Sequence, residues 1–449
     1  MSEYRTALSA LHALEAFGMR LGLENVADYC AAAGHPERAW QALHVAGTNG
    51  KGTTAACLAA LARRHGLRAG LYTSPHLVDF RERIRVDGEP ISRPGFVGMW
   101  DRVGPFVQER SMTFFEAGTL MAMEWFAERR VDVAVLEVGL GGRLDATNVV
   151  IPALSIVTNI ALDHERHLGS DLAAIAREKA GIFKPGVPAL VGEADAPSVR
   201  EALAAAARER GTPIGWLGQE ARWETRSQEA GWTTFDYESE RGRLEGLALP
   251  LAGDQFVVDA ALALRAWERW RGELDPAAVK AALAEAVPPG RMESRSVGAV
   301  PYLFDVAHNP AAVDRLAAVL PRSGVVRWTF VAGILADKRW EEMLDALLRF
   351  APCGHLCGLA TANPGRRLSA REAAAALASR PGIAWSESVG EGLAAARKDV
   401  EAGLADAVLV TGSFHTVGEA LLALGLASDG EPYERMAAAP PVLTRGGAA

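Results

Sequence analysis

Residues 42–60 read ALHVAGTNGKGTTAACLAA, and this stretch decides how the chain folds. The apolar run from Ala42 to Ala46 predicts a β-strand, and the Ala/Leu-rich run after Thr54 predicts an α-helix. The glycines between them let the backbone curl, so that successive N–H groups point into one concavity at the start of the helix. A phosphate group is held well at such a place. The order strand, glycine loop, helix therefore predicts a phosphate-binding loop.

The loop departs from the strict P-loop pattern at two positions. Val45 stands where the first glycine belongs, and Gly52 separates Lys51 from Thr53. Lys51 still supplies a mobile positive charge, and the hydroxyl of Thr53 or Thr54 is expected to reach a phosphate or its Mg²⁺. The alternative is an ordinary glycine-rich turn, which the flanking strand and helix disfavour.

Composition places the chain among ordinary globular proteins. It has 449 residues, 49% of them hydrophobic and 23% charged, which is enough for two or three domains with large cores. The formal net charge of −8 does not favour binding to nucleic acid or to an anionic membrane. No run approaches the ~20 apolar residues of a membrane span, and the first residues carry no signal-peptide pattern.

The four cysteines are too sparse for a disulfide framework, which fits a reducing cytoplasm. Cys353 and Cys357 flank His355 and offer soft metal ligands, but no complementary pair elsewhere would complete a tetrahedral zinc site. Buried cysteines in a strand are the favoured interpretation. We therefore expect a cytoplasmic protein.

The next predicted strand runs from Arg68 to Tyr72 and is followed by a polar loop that contains Ser74, His76, Arg81 and Arg83. In a parallel sheet, loops that leave the carboxyl ends of the strands face the ligand crevice. Ser74 is thus a candidate metal ligand, and the other three are candidates for binding an anionic substrate. The alternatives are a turn serine and a solvated charged loop.

The apolar run from Val131 to Leu136 ends in Glu137. A carboxylate at the tip of a buried strand beside a phosphate loop is suited to Mg²⁺, a hard cation that prefers oxygen ligands. The alternative is a carboxylate that caps the following glycine loop. Arg143 and Asp145 in that loop are expected to shape the floor of the crevice, and Asp145 is a further candidate for binding the substrate.

A fourth strand, from Leu154 to Thr158, leads to His164, and the helix beyond Ser170 carries Lys179 near its end. Considered alone, His164 is more often a hydrogen-bonded loop residue, and Lys179 more often a solvated cation at a helix end. Residues 218–250 have the pattern of twisted hairpins without a catalytic signal.

Pro288, Pro289 and Gly290 break the pattern of helices, and strands then alternate with helices to the end of a second α/β unit. We predict an α/β domain with a mostly parallel sheet at 1–288, a smaller α/β domain at 295–435, and a disordered tail at 436–449. Asp305 and His308 follow a strand of the second unit, where they are expected to meet a nucleotide from across a cleft.

Together these motifs make the chain resemble the folylpolyglutamate synthase family of the Mur ligase superfamily. The motifs are specific in combination and occur in the family's order: HVAGTNGKGT at 44–53, SPHL with ERI at 74–84, LEVGLGGRLDATN at 136–148, TNIALDH at 158–164, EKAGIFK at 178–184, PGR at 289–291, DVAHNP at 305–310 and GSFHTVGE at 412–419. The resemblance covers about residues 15–425.

The resemblance implies that the domain at 1–288 is a Mur-ligase-type ATPase domain and that the domain at 295–435 is a Rossmann-like glutamate-ligase domain. It also implies a set of site residues in the cleft between them. The implied metal ligands are Ser74, Glu137 and His164, and the implied catalytic residues are Lys51, Lys179, Asp305 and His308. Lys179 matches a lysine that is carbamylated in the superfamily. The implied nucleotide-binding residues are Gly47, Thr48, Asn49, Gly50, Lys51, Gly52, Thr53, Gln255, Arg291 and Asp305.

The implied reaction is an ATP-dependent ligation of L-glutamate to a pteroate or folate carboxylate through an acyl phosphate. The implied cofactors are Mg²⁺, the carbamylated lysine and a monovalent cation, and the resemblance suggests a monomer. Two alternatives remain open. One is a Mur-type ligase acting on another carboxylate, although few residues precede the first strand to form a separate nucleotide-sugar domain. The other is a P-loop switch that makes no amide.

Four positions depart from the pattern of the family. Asp254 stands where histidine is usual, Asp259 where asparagine is usual, and Val306 where glycine is usual, while Phe414-His415 replaces Leu-Tyr. The first two put the predicted adenine contacts in doubt. The phosphate and metal residues are unaffected.

Overall fold

The computed structural model describes residues 3–18, 20, 22–229, 231–361 and 364–433. Within these residues, two α/β units follow one another along the chain, each built on a sheet of mainly parallel strands. We call residues 3–285 the first lobe and residues 293–433 the second lobe. The segment 286–292 between them is the linker.

The first lobe contains an eight-stranded sheet in the order β4-β3-β2-β5-β1-β6-β7-β8. Strands β2, β5, β1, β6, β7 and β8 are parallel to one another, while β3 and β4 add an antiparallel edge beside β2. Central strands such as β5 are buried along their whole length, as expected for a sheet covered on both faces. The strands are β1 Gln41–Ala46, β2 Ala69–Tyr72, β3 Ile84–Val86, β4 Glu89–Pro90, β5 Val133–Glu137, β6 Leu154–Asn159, β7 Ala189–Glu193 and β8 Ile214–Trp216.

A separate antiparallel sheet of three strands packs beside this core. It consists of β9 Ala221–Glu229, β10 Trp232–Ser239 and β11 Gly242–Leu249, which confirms the predicted hairpins. The helices of the first lobe are α1 Glu3–Ala13, α2 Glu24–Ala32, α3 Lys51–Arg64, α4 Arg93–Glu109, α5 Phe114–Glu128, α6 Glu165–Leu168, α7 Leu172–Lys179, α8 Pro197–Arg210, α9 Leu217–Glu220, α10 Asp254–Arg271 and α11 Pro276–Glu285.

The second lobe contains a six-stranded sheet in the order β12-β13-β17-β14-β15-β16, antiparallel only between β12 and β13. Its strands are β12 Glu293–Val297, β13 Val300–Phe304, β14 Trp328–Ala332, β15 Cys353–Cys357, β16 Ile383–Ser386 and β17 Ala407–Thr411. Its helices are α12 Pro310–Val319, α13 Trp340–Leu348, α14 Ala370–Ala378, α15 Val389–Glu401 and α16 Phe414–Ala423.

These elements confirm the predicted fold class. The strand β12 was not predicted, because its sequence ESRSV offers little apolar alternation and it lies in the interval assigned to the boundary. The change from one lobe to the other falls near residues 288–295, and the exact domain limits stay a prediction. The predicted tail at 436–449 lies outside the described residues. In the described part of the chain, no helix is both long enough and apolar enough to cross a membrane.

Candidate active site between the two lobes

The glycine loop between β1 and α3 has the backbone that its sequence predicts. Gly47 and Gly50 have φ values of 148° and 83°, which are unfavourable for other residues. A Cβ at Gly47 would lie 1.8 Å from Oγ1 of Thr158, and one at Gly50 would lie 2.1 Å from Oδ1 of Asp259. Both positions therefore require glycine, and α3 begins directly after them at Lys51.

Hydrogen bonds from the end of β6 hold this loop in shape. The backbone N–H of Thr48 donates to the Asn159 carbonyl at 2.9 Å, and that of Asn49 donates to the Asn159 side chain at 3.0 Å. The Thr158 hydroxyl donates to the Asn49 carbonyl at 2.6 Å. The loop is thus preorganised, and Asn159 is a supporting residue that the sequence analysis did not single out.

Two lysines, the half-buried Lys51 and the buried Lys179, approach the glycine loop. Nζ of Lys51 donates to the Thr48 carbonyl at 3.1 Å, and Nζ of Lys179 donates to the Gly47 carbonyl at 2.7 Å. Burial lowers the pKa of Lys51. Burial, together with the charge of Lys51, lowers the pKa of Lys179 to about 7. Lys179 is therefore a buried amine that is partly neutral near pH 7, not the solvated helix-end cation of the alternative interpretation.

Glu137 and Ser74 meet at the carboxyl ends of β5 and β2. The Ser74 backbone N–H donates to Oε2 of Glu137 at 3.0 Å. Burial raises the pKa of Glu137, and no salt bridge to its carboxylate is found among the described residues. A buried carboxylate beside a serine hydroxyl is a donor set that suits a hard divalent cation.

His164 lies in a different part of the site. It adopts a left-handed backbone with φ of 53° and lines a small cavity with Lys51, Lys179 and His308. Burial lowers its pKa to about 3, so the imidazole is neutral and able to bind a metal. No group of three or more His, Cys, Asp or Glu residues suited to a metal ion is found in the described part of the chain.

The second lobe reaches this cavity through the loop after β13. Nε2 of His308 lies 3.5 Å from Oδ2 of Asp163, and the side-chain amide of Asn309 donates to the same oxygen at 3.2 Å. Lys338 also pairs with Asp163, which is buried. Burial opposes ionisation of Asp163, but His308, His164 and Lys338 together hold its pKa well below its usual range.

The sequence analysis missed this interlobe cluster of Asp163, Asn309 and Lys338. Asp163 and Asn309 are direct neighbours of predicted residues in the motifs TNIALDH and DVAHNP. Position within these motifs was the available signal. The cluster brings His308 to the glycine loop as predicted.

Asp305 lies beneath the same loop and interacts with backbone. Its carboxylate accepts hydrogen bonds from the N–H groups of Met292 at 3.0 Å and Ala307 at 2.9 Å. It therefore fixes the linker next to Arg291. The Arg291 guanidinium lies over the Phe414 ring at 5.5 Å. Both residues line a larger cleft that Ser74 and Glu137 also line.

Arg83 and His76 form a second feature of the predicted loop. Nε of Arg83 donates to Nδ1 of His76 at 2.8 Å, and the guanidinium lies over the Phe80 and Phe114 rings at 5.4 and 5.1 Å. Arg83 is only 9% exposed, and no carboxylate pairs with it among the described residues. Burial lowers the pKa of His76 well below its usual value, which leaves Arg83 as the cation of this pair.

Two predicted substrate residues have other partners in the structure. The guanidinium of Arg81 pairs with Asp79 at 3.0 Å and with Glu431 at 2.9 Å. The carboxylate of Asp145 accepts hydrogen bonds from Thr147 and from the Leu140 N–H at 2.8 Å. Both side chains therefore shape their own loops, and their contact with a substrate stays a prediction.

The Thr54 hydroxyl has a partner on α10. It donates to the Asp259 carbonyl at 3.4 Å. The contact of Thr53 or Thr54 with a phosphate or its Mg²⁺ stays a prediction.

The nucleotide-side residues on α10 differ from one another. Asp254 accepts hydrogen bonds from Thr225 and Gln228 of β9, so its carboxylate faces the three-stranded sheet. Gln255 folds back towards Gly253, where a Cβ would lie 2.4 Å from its Oε1. The structure therefore gives Asp254 a local structural role. The predicted nucleotide contact of Gln255 stays a prediction.

The cysteine interpretation favoured by the sequence agrees with the fold. Cys353 and Cys357 lie on β15, with Cys357 buried, and His355 between them contacts Asp399 at 3.2 Å. His355 already has a carboxylate partner. The alternative of a zinc site at these residues gains no support.

Comparisons with known proteins agree with this architecture. The Mur ligase middle domain matches residues 45–267, and the Mur ligase glutamate ligase domain matches residues 290–414. The dihydrofolate synthase/folylpolyglutamate synthase of Escherichia coli is 38% identical over 92% of this chain and 94% of the relative. The corresponding Bacillus subtilis protein is 34% identical over 78% of this chain and 84% of the relative.

Solved structures give the same result. A folylpolyglutamate synthase of Mycobacterium tuberculosis complexed with ADP has a TM-score of 0.88 and 32% identity, and covers 94% of this chain and 99% of its own. An Escherichia coli structure in complex with DHPP and ADP has a TM-score of 0.82 and 35% identity, and the match covers 94% of this chain and 98% of that chain. The two matched domains and the extent of these similarities lead to one conclusion: the chain belongs to the Mur ligase family, among the folylpolyglutamate synthases.

Proposed function

We propose that this protein is an ATP-dependent ligase that joins the amino group of L-glutamate to the carboxylate of a dihydropteroate or a folyl(poly)glutamate. The observation that carries the proposal is the meeting of both lobes at one phosphate-binding loop, where Asn309 donates to the side chain of Asn49 at 3.1 Å. A nucleotide switch would not need the second lobe at this point.

The reaction has two chemical steps. A carboxylate oxygen of the acid attacks the γ-phosphorus of ATP, the bond to the β-phosphate oxygen breaks, and ADP leaves. The amino group of glutamate then attacks the carbonyl carbon of the acyl phosphate. Inorganic phosphate leaves with the bonding electrons, and the nitrogen loses a proton as the amide forms. Closure of the lobes keeps water from the reactive acyl phosphate.

The glycine loop and Lys51 are proposed to hold the phosphates. The N–H groups at the start of α3 point into the loop, and the macrodipole of this 14-residue helix favours an anion there. The ammonium of Lys51 donates to the Thr48 carbonyl of the same loop and offsets the charge of the γ-phosphate as it is transferred.

Ser74, Glu137 and His164 are proposed to bind Mg²⁺. The chemistry of these residues suits such an ion. The Glu137 carboxylate is buried and has no salt bridge among the described residues, Ser74 is adjacent to it, and His164 is neutral. When bound, Mg²⁺ supplies positive charge for the phosphate oxygens. A monovalent cation is proposed from the resemblance alone.

Lys179 is proposed to be carbamylated. Only a neutral amine adds CO₂, and burial lowers the pKa of Lys179 to about 7 while Nζ remains beside the Gly47 carbonyl. Carbamylation would replace a buried cation by an anion at the edge of the metal site.

Arg83 and His76 are proposed to bind a carboxylate of the acid substrate. The support is that the Arg83 guanidinium is buried, packs on the aromatic rings of Phe80 and Phe114, and has no carboxylate partner among the described residues. Asp305 and His308 complete the site from the second lobe. Small molecules are the proposed partners of a monomeric cytoplasmic enzyme, without nucleic acid or membrane.

The proposal is tested by measuring phosphate release from ATP with the purified protein. Release should require both L-glutamate and either dihydropteroate or a reduced folate, and the product should gain the mass of one glutamyl residue. Release that is independent of both substrates would support a nucleotide switch. Release that requires a different carboxylate would support another Mur-type ligase.

A further inference from the structure

We propose that Glu431 and Tyr433 are positioning residues for the loop that contains Ser74, His76 and Arg83. The segment 428–433, here called the C-terminal strap, follows α16 of the second lobe and crosses to this loop in the first lobe. The inference rests on the proposed function only for the loop's role in binding the acid substrate.

Tyr433 completes a ring of donors around a buried carboxylate of the first lobe. Glu82, 7% exposed, accepts hydrogen bonds from the N–H groups of Leu77 at 2.8 Å, Val78 at 3.0 Å and Asp79 at 2.9 Å. The N–H of Tyr433 donates to the same carboxylate at 3.0 Å. One strap residue therefore shares the carboxylate that folds the loop between His76 and Arg83.

The side chain of Tyr433 ties this loop to the linker. Its hydroxyl donates to Oε1 of Glu293 at 2.5 Å, and Oε2 of Glu293 accepts the N–H of Gly290 at 3.1 Å. Tyr433 and Glu293 are 5% and 0% exposed. Polar groups buried this deeply are costly to leave unpaired, so the contact holds a defined geometry.

Glu431 adds a second attachment on the first lobe. Its carboxylate pairs with Arg81 at 2.9 Å and with Arg93 at 2.5 Å, and both guanidinium groups also donate to the Gly430 carbonyl. Arg81 in turn pairs with Asp79, and Asp79 accepts the Tyr4 hydroxyl at 2.8 Å. The strap is therefore joined to the loop through charge pairs as well as through Tyr433.

These contacts have a consequence for the site. The loop begins with Ser74, which donates to Glu137, and ends with Arg83, which donates to His76. Removal of the strap leaves the glycine loop and Lys51 intact, because no strap contact reaches them among the described residues. Loss of the strap should thus weaken binding of the acid while binding of ATP is retained.

The test compares three forms of the protein: the full chain, a chain that ends at Ala427, and a control chain that ends at Tyr433. Hydrogen exchange followed by mass spectrometry, without any ligand, should show exchange about tenfold faster at residues 77–79 in the chain ending at Ala427. Exchange at β1 and at the start of α3 should not change. The control chain should match the full chain.

The kinetic arm of the test measures KM for each substrate. The chain ending at Ala427 should show a KM for the acid raised about tenfold, because it loses several net hydrogen bonds, with the KM for ATP unchanged. Tyr433→Phe and Glu431→Gln, which keep the backbone contact, should each give a part of this effect. Unchanged exchange at residues 77–79 would overturn the proposal whether or not the protein is a folate ligase. Faster exchange with an unchanged KM for the acid would overturn the positioning role.

Discussion

The side-chain amide of Asn309, in the second lobe, donates to the side-chain oxygen of Asn49, in the glycine loop of the first lobe, at 3.1 Å. The same amide also donates to Asp163 at 3.2 Å, while the Asn309 oxygen accepts the N–H of Ala312 and caps α12. Asn309 is 1% exposed. A movement of the second lobe would therefore change a hydrogen bond of the phosphate loop directly.

Asn309→Asp should separate the role of Asn309 as the cap of α12 from its role as a donor to Asn49 and Asp163. Aspartate caps a helix as well as asparagine does, so the start of α12 should persist, whereas a second buried carboxylate beside Asp163 should lower the melting temperature. The new carboxylate would lose both donor contacts and face Asp163 as a like charge, and kcat/KM should fall about a hundredfold. Steady-state kinetics and thermal unfolding measure the two effects. Asn309→Ser, which keeps a cap without adding charge, should be intermediate, and wild-type kcat/KM in Asn309→Asp would contradict the role of this contact.

Lys51→Met should abolish turnover without loss of the fold. Methionine keeps much of the length but not the charge that offsets the γ-phosphate, so phosphate release should fall about 10³-fold. Burial already lowers the pKa of Lys51, so removal of this charge should not destabilise the protein. Lys280→Met, at an exposed position of α11, is the control. Substantial activity in Lys51→Met would refute the phosphate role.

Glu137→Gln should raise the Mg²⁺ concentration needed for half-maximal activity, because a neutral amide is a weaker ligand for a hard cation. The amide still accepts the Ser74 N–H, so the local fold should persist. Titration of activity with MgCl₂ is the measurement, and Glu285→Gln is the control, since Glu285 pairs with Arg63 and Arg64 at the surface. An identical Mg²⁺ dependence would remove Glu137 from the metal site.

The sequence predicted the parts of this site that follow strand ends. Lys51, Glu137 and His308 each come directly after a strand or close to its end, and the carboxyl ends of parallel strands meet at one edge of a sheet. The phosphate loop was predicted because a glycine-rich turn joins a strand to a helix, and the φ values of 148° and 83° at Gly47 and Gly50 explain why glycines stand there.

The contacts between distant segments could not be predicted in this way. Arg81 was assigned to a substrate because its partner Glu431 lies 350 positions away and no local pattern links the two. Lys338 and Asp163 are 175 positions apart and pair only because the lobes pack together. Such pairs depend on tertiary geometry, and periodicity carries no information about them.

Asp259→Asn should stabilise the protein above neutral pH. Burial raises the pKa of Asp259 to about 7. The folded chain therefore holds this proton where the unfolded chain has lost it, and stability falls as the pH rises from about 4 to about 7, by at most about 1.4 kcal/mol per pH unit. Asparagine removes this loss.

Urea unfolding at pH 5 and pH 8 measures this effect. The variant should gain stability at pH 8 relative to the wild type and lose most of the pH dependence in this window. It should also have a lower KM for ATP, because the carboxylate lies beside Gly50 of the phosphate loop. Asp254→Asn, at a carboxylate that faces β9, is the control. Equal pH profiles for Asp259→Asn and the wild type would contradict the prediction.

Lys179→Met should remove a pH dependence of the opposite sign. Burial lowers the pKa of Lys179 from 10.5 to about 7. Between these values the unfolded chain binds a proton that the folded chain does not, so stability rises with pH in this window, by at most about 1.4 kcal/mol per pH unit. Urea unfolding in CO₂-free buffer at pH 7, 8 and 9 should show this rise in the wild type and not in the variant. In bicarbonate at pH 8, intact-protein mass spectrometry under gentle conditions should find the mass of one added CO₂ in the wild type only. A wild-type profile as flat as that of Lys179→Met would mean that the amine stays charged in the folded protein, and the carbamate would then lose its chemical basis.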